Sequence, residues 1–172
     1  MTTAFYPQHD DIRIAEVLHL LNPPERYALW HGGPSVTDCL EGVDAEQARW
    51  SASPNTRSIW HFVLHISFWK NYVRQQVTSR NDILFARSPD NFPSPADPPS
   101  SESWELDVAL LRFENQALIE AVRELDPNEL HRPFPSGNRL LDQITGIALH
   151  DAYHVAQIQL LKRLYEDRQT RS

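Results

Sequence analysis

The sequence predicts an all-α protein: one four-helix bundle with a long Pro-rich loop between helices 2 and 3. Three observations carry this reading. Four segments, roughly 9–22, 57–80, 102–125 and 139–167, repeat their apolar residues with helical rather than alternating period. The 13 prolines cluster between those segments, where ring geometry and the missing N–H end helices. No Asn-Gly or Asp-Gly turn joins two alternating runs, so nothing signals a hairpin. A chain of 172 residues suits a single domain, taken as residues 1–172, with enough length for a substantial core.

The elements follow in order. The first helix, 9–22, stops at "NPPER", residues 22–26. "HGGPS" at 31–35 is loop, and a short helix fits in 44–50 before the break "SASPNT" at 51–56. The second helix takes 57–80. After it, "RSPDNFPSPADPPSSES", residues 87–103, holds five prolines and must be loop. That loop is long enough to run the length of the bundle, so the topology need not be simple up-down. "SSESWEL" opens the third helix with serine ahead of an acidic first turn, as a cap and the helix dipole favour. "LDPNEL" closes it with a proline just beyond its end. The fourth helix, 139–167, follows the break at 126–138. No repeat of solenoid period is visible.

Composition narrows the functional classes. Hydrophobic residues at 41% and charged residues at 23% are ordinary for a globular protein. A formal net charge of -7 argues against nucleic acid, whose phosphates need a basic surface, and against an anionic membrane. No apolar run approaches the ~20 residues that span a bilayer. The N-terminus lacks a basic start followed by an apolar core, so the expected location is cytoplasmic. A single cysteine, Cys39, excludes an intrachain disulfide.

The histidines pose the chemical question. On a helix of 100° per residue, Leu140, Ile144, Ile147, Ile158, Leu161 and Tyr165 share one stripe, and His150 and His154 fall inside it. Imidazoles one turn apart on one face can ligate one metal ion. The spacing alone is not specific, and a metal needs a third ligand. The second helix offers His65, on the inward border of a stripe formed by Ile59, Phe62, Ile66, Trp69 and Val73. His61 makes a second His-x-x-x-His with His65, but its angle turns it toward the flank. Two readings stay open: three core histidines satisfied separately, or three ligands of one ion. Burying three imidazoles without a shared purpose leaves several polar groups to pair.

"SIWHFVLHISFW" at 58–69, followed far downstream by "ITGIALHDAYHVAQIQLLKR" at 144–163, resembles the DinB-like superfamily of small four-helix-bundle metalloproteins. "ALWHGGPSVTDCLEGVDAEQARW" at 28–50 resembles a Trp-His-Gly segment of one branch of that family. The resemblance spans about residues 10 to 165, and the third helix carries no recognisable motif. It implies that one histidine of the second helix joins two of the last helix on a divalent metal. The matching positions are His65, His150 and His154. It also implies a metal-dependent hydrolase, or a transferase or isomerase that uses a low-molecular-weight thiol.

Three residues are candidates for catalysis. Asp151 lies near the inward stripe and either orients a ligand imidazole, or forms a salt bridge or reaches solvent at the helix flank. Gln157 is placed to hydrogen-bond a water on the ion or to pack between helices. His31 sits in a permissive Gly-rich loop, as a proton donor, a fourth ligand or a plain surface residue. Tyr153 reads as packing on the flank. Glu16 and His19 form one Glu-x-x-His, whereas a di-iron bundle needs two plus further glutamates, so that reading is discarded.

The expected function is therefore metal binding in a metal-dependent hydrolase or thiol-dependent transferase. The alternative is a non-catalytic, stress-related bundle that binds metal or a ligand. Zinc or nickel comes first as the divalent ion, and iron, cobalt or copper also suit imidazole. The expected partners are a small-molecule substrate, with a low-molecular-weight thiol among the candidates, and a second copy in a homodimer.

Overall fold

A computed structural model describes residues 10–23 and 33–171. These described residues hold five α-helices: α1 (Ile12–Leu21), α2 (Ala45–Arg49), α3 (Ile59–Thr78), α4 (Ser101–Arg123) and α5 (Leu140–Arg171). Short 3-10 turns lie at Asp38–Leu40 and Pro127–His131, and no strand occurs among the described residues. The helix starts obey the capping logic of the sequence. Asp11, Asp44, Ser58 and Ser100 each accept a first-turn backbone N–H through the side chain. Ser58 and His61 complete a capping box at the start of α3. The last helix runs to Arg171, past the expected end at 167. Residues 166–171 are exposed all round, so no apolar period marks them, yet no proline or glycine stops the helix there.

Four long helices, α1, α3, α4 and α5, form the bundle. Helix α3 packs on α4 and α5, and α1 packs on the same two from the other side. Contacts between α3 and α4 advance together along both helices: Trp60 Nε1 donates to Asp107 Oδ2 at 2.8 Å, and Asn71 Nδ2 donates to Glu114 Oε1 at 3.1 Å. The two helices are therefore parallel. Helix α5 runs antiparallel to α3, since Phe62 meets His154 while Trp69 meets His150. The Pro-rich loop must consequently return along the whole of α3. On its way Ile83 accepts from Gln75 Nε2, Phe85 packs on Phe68, and Arg87 Nε donates to buried Asp107 at 2.8 Å.

The core has two apolar lobes. One gathers Trp60, Leu64 and Ile66 with Leu111, Ile158, Leu161 and the 3-10 turn residues Cys39 and Leu40. The other gathers Ile14, Leu18, Val73, Leu118, Leu140 and Ile144. Cys39 is fully buried and its Sγ donates to Val36 O at 3.2 Å. Buried polar groups come from the middle of the long helices. Lys70, with 0% exposure, donates to Asp151 Oδ2 at 2.5 Å, and Glu114 accepts from Asn71 and Arg74. The three inward histidines share this middle level of the bundle.

Candidate metal centre

His65 comes from the first half of α3, whose inward stripe also buries Phe62 and Ile66. His150 and His154 come from adjacent turns of α5, between buried Ile147 and Ile158. Because α3 and α5 are antiparallel neighbours, the three rings meet. His150 Nε2 lies 3.0 Å from His65 Nε2 and 3.1 Å from His154 Nε2, and one nitrogen of each ring lies within 4.8 Å of the others. No aspartate, glutamate or cysteine joins the group among the described residues.

The outer nitrogens fix the tautomers. His65 Nδ1 is 2.5 Å from Asn91 O, a backbone carbonyl that can only accept, so Nδ1 carries the hydrogen. His154 Nδ1 is 2.6 Å from Gln157 Oε1, and the Gln157 amide donates from its other side to Tyr153 Oη at 3.4 Å. Nδ1 of His154 is therefore also the donor. Both rings present an unprotonated Nε2 lone pair toward His150 Nε2. Neutral imidazoles whose far nitrogen donates to a carbonyl or carboxylate are the usual arrangement at metal sites. Three nitrogens at about 2.0–2.1 Å from one ion would stand roughly 3.0–3.4 Å apart. Two of the three separations match that spacing and the third lies within 4.8 Å, and the rings of His65 and His154 are in the tautomer that ligation requires, so the group is compatible with one divalent ion. Burial adds to this. It holds the pKa of all three rings below the ordinary histidine value, that of His150 down to about 3, helped there by its neighbours His154, His65 and Lys70.

Aromatic rings pack the site. Phe92 stacks on His65 at 4.0 Å between centroids with planes 5° apart, Phe62 lies 5.1 Å from His154, and Trp69 lies 6.4 Å from both His65 and His150. Asn91 works from both ends: its carbonyl holds His65, and its side-chain Oδ1 accepts from Trp69 Nε1 at 2.9 Å. Arg57 lies over the outer face of Phe92 at 4.8 Å.

The catalytic candidates fare differently. Asp151 is paired with Lys70 inside the bundle, and no hydrogen bond joins its carboxylate to the three rings. Burial pushes its pKa up, and Lys70 opposes that shift. Gln157 accepts from His154 Nδ1 through Oε1 and so holds that ring in place. Tyr153 is mostly exposed at the flank, 4.9 Å from His154. His61 stays outside the triad, bonded to Ser58 Oγ at 2.8 Å. His31 lies outside the described residues.

Sequence reasoning missed Asn91, Phe92 and Lys70. For Lys70 a signal existed. It interrupts the inward series Ile66, Val73 and Val77 of α3, and a lysine there needs a buried partner. For Asn91 and Phe92 there was none, because a loop has no period from which to read its contacts.

A family model described as the DinB superfamily matches residues 35–158. The chain has no significant match among curated proteins or among solved structures. No helix among the described residues is long and apolar enough to cross a membrane.

Proposed function

The chain belongs to the DinB superfamily, and from that premise we propose that it is a metal-dependent enzyme with its divalent ion on His65, His150 and His154. It acts as a hydrolase or as a thiol-dependent transferase on a small molecule. One observation carries the reading: three imidazole nitrogens converge with two of the rings locked in the tautomer that ligation requires. An ion on three neutral imidazoles keeps an open position and supplies Lewis acidity, to polarise a carbonyl or acidify water. The chain's own part is to bind and orient. Asn91 and Gln157 aim two rings, and Phe62 and Phe92 shield them from solvent. Zinc and nickel lead on ligand type, with iron, cobalt and copper behind. The test is metal analysis of protein purified without tag or chelator, followed by screening of esters, amides and thiol adducts. Stoichiometric metal with no turnover above that of the free ion would favour the non-catalytic binding protein instead.

The pH dependence has a definite sign. Protons compete with the ion for the same lone pairs, so acidification releases metal. Folding lowers the pKa of all three rings from the usual value near 6.5, so they stay neutral further into acid than free imidazole does. In equilibrium dialysis against zinc, loading should stay flat down to about pH 6 and then fall with more than one proton taken up per ion released. Half-loss above pH 6.5 would contradict this. In the metal-free protein the unfolded chain binds these protons first, so stability falls as pH drops from about 6.5 toward the folded values.

Helix α5 also exposes a stripe of Leu149, Tyr153, Leu160 and Leu164, at 64%, 63%, 50% and 39%. Its i, i+4 spacing and length suit a second copy packed helix on helix. Light scattering should give twice the 19.9 kDa of the chain at micromolar concentration, and a monomer's mass would refute the dimer.

A further inference from the structure

Beside His150 a groove of about 330 Å³ runs along the surface between α3 and α5, with that ring at one end. Trp69, Val73 and Ile147 form its walls, and Gln143 and Asp142 lie at the other end. Asp142 is eight residues from His150 on α5, which makes the groove roughly 12 Å long at 1.5 Å per residue. Its size falls within the range of small-molecule clefts.

Gly146 lines the middle of this groove, and nothing in the backbone requires a glycine there. The residue lies inside a continuous helix and is not among the glycines of positive φ, which are Gly42 and Gly137. Packing does not require it either, since a Cβ at Gly146 would meet no atom within 4 Å. Glycine is the poorest helix former after proline, so α5 gives up stability at this position without a local return. What the missing side chain does preserve is the open groove.

The lining also selects the ligand's charge. Apart from His150 no basic side chain lines the groove among the described residues, and Asp142 is ion-paired with Arg139 at 2.8 Å. An anionic body would find no counter-charge there, whereas an aromatic or branched apolar body finds an indole and two β-branched side chains.

We propose that this groove is the substrate cleft, resting on the metal reading above, and that it takes an uncharged, flat or branched apolar body whose polar head reaches the metal site. Gly146 is its specificity-determining residue: it keeps the cleft open for a body at least the size of a benzene ring. Benzohydroxamate and acetohydroxamate share one metal-binding head and differ by a phenyl group against a methyl group. On the zinc-loaded chain the phenyl compound should bind at least tenfold more tightly by calorimetry. Gly146→Leu, which fills the groove, should abolish that preference while leaving acetohydroxamate affinity and zinc content within twofold of the unmodified chain. Gly146→Ala should keep the preference and melt higher. Equal affinities in the unmodified chain, or a preference that survives Gly146→Leu, would overturn the proposal. So would a Gly146→Leu chain whose mass by light scattering has changed, because the groove would then belong to a second copy. Zinc content is measured first and separately, so a chain without zinc defeats the metal reading alone. The groove is then tested with benzyl alcohol on the metal-free chain. The Trp69 Nε1–H resonance should shift and that of Trp104, in the opposite part of the core, should not. An unmoved Trp69 resonance would overturn the proposal whether or not any variant folds.

Discussion

Replacing His154 by alanine should leave a chain without stoichiometric metal. The ring supplies one of three nitrogens, and the two that remain, His65 and His150, belong to different helices. Even the hydrogen-bond partners of ligating histidines are worth about 10- to 100-fold in metal affinity, so loss of a ligand should cost more than about 100-fold. His154→Phe refines the test, because it keeps the buried ring against Phe62 while removing the nitrogens. Both variants should lose the metal, and His131→Ala, on an exposed position, should keep it. Gln157→Ala should fall between them, about 10- to 100-fold weaker, because His154 Nδ1 loses the acceptor that fixes its tautomer. Elemental analysis after dialysis reads all four. Undiminished metal in both His154 variants would remove His154 from the site.

Asp151→Ala should be among the most destabilising single changes in the bundle. It strands the ammonium of Lys70, which has 0% exposure and whose Nζ donates to Asp151 Oδ2. Breaking a buried ion pair from one side costs about 3–5 kcal/mol, because a charge is left without compensation. Domains of this kind have about 5–15 kcal/mol in all, so the variant should unfold at much lower urea. Lys70→Met should cost less. The carboxyl it strands already has its pKa pushed up by burial, so it can take a proton and become neutral. Joint replacement, Lys70→Met with Asp151→Leu, should recover most of the loss, since apolar side chains of similar volume replace buried pairs at little cost. Urea unfolding of the three variants checks the order. The joint variant also separates roles: if it folds, holds metal and keeps any turnover found, Asp151 is structural. Lost turnover with fold and metal intact would return it to the reaction.

The contrast between these two predictions shows where sequence reasoning reaches. Helix period placed His150 and His154 on one face, and the stripe of α3 brought His65 toward them, because both signals repeat within a single helix. The family resemblance then selected the shared-ion reading. Asp151 was ambiguous from sequence because its partner is 81 residues away, and only the packing of α3 against α5 decides between a ring and Lys70. Asn91 was invisible for a related reason. Its place over His65 depends on the loop running back along α3, and so on α3 and α4 being parallel. The length of the loop allowed that topology without requiring it. Contacts such as Arg87 on Asp107 and Phe92 on His65 hold the loop there, and each joins residues at least 20 apart.

The placement of Cys39 bears on redox chemistry. Sulfur acts as nucleophile, metal ligand or disulfide partner as the thiolate. Burial in the turn beside α5 pushes the pKa of this thiol up to about 12, against a modest opposing pull from Lys162. At neutral pH almost none of it is ionised, and its sulfur is enclosed on all sides. The chain therefore brings no working sulfur of its own. If the reaction runs on a thiol, that sulfur arrives as a co-substrate and leaves with the product, and mild oxidants should act on the visiting thiol rather than on the protein.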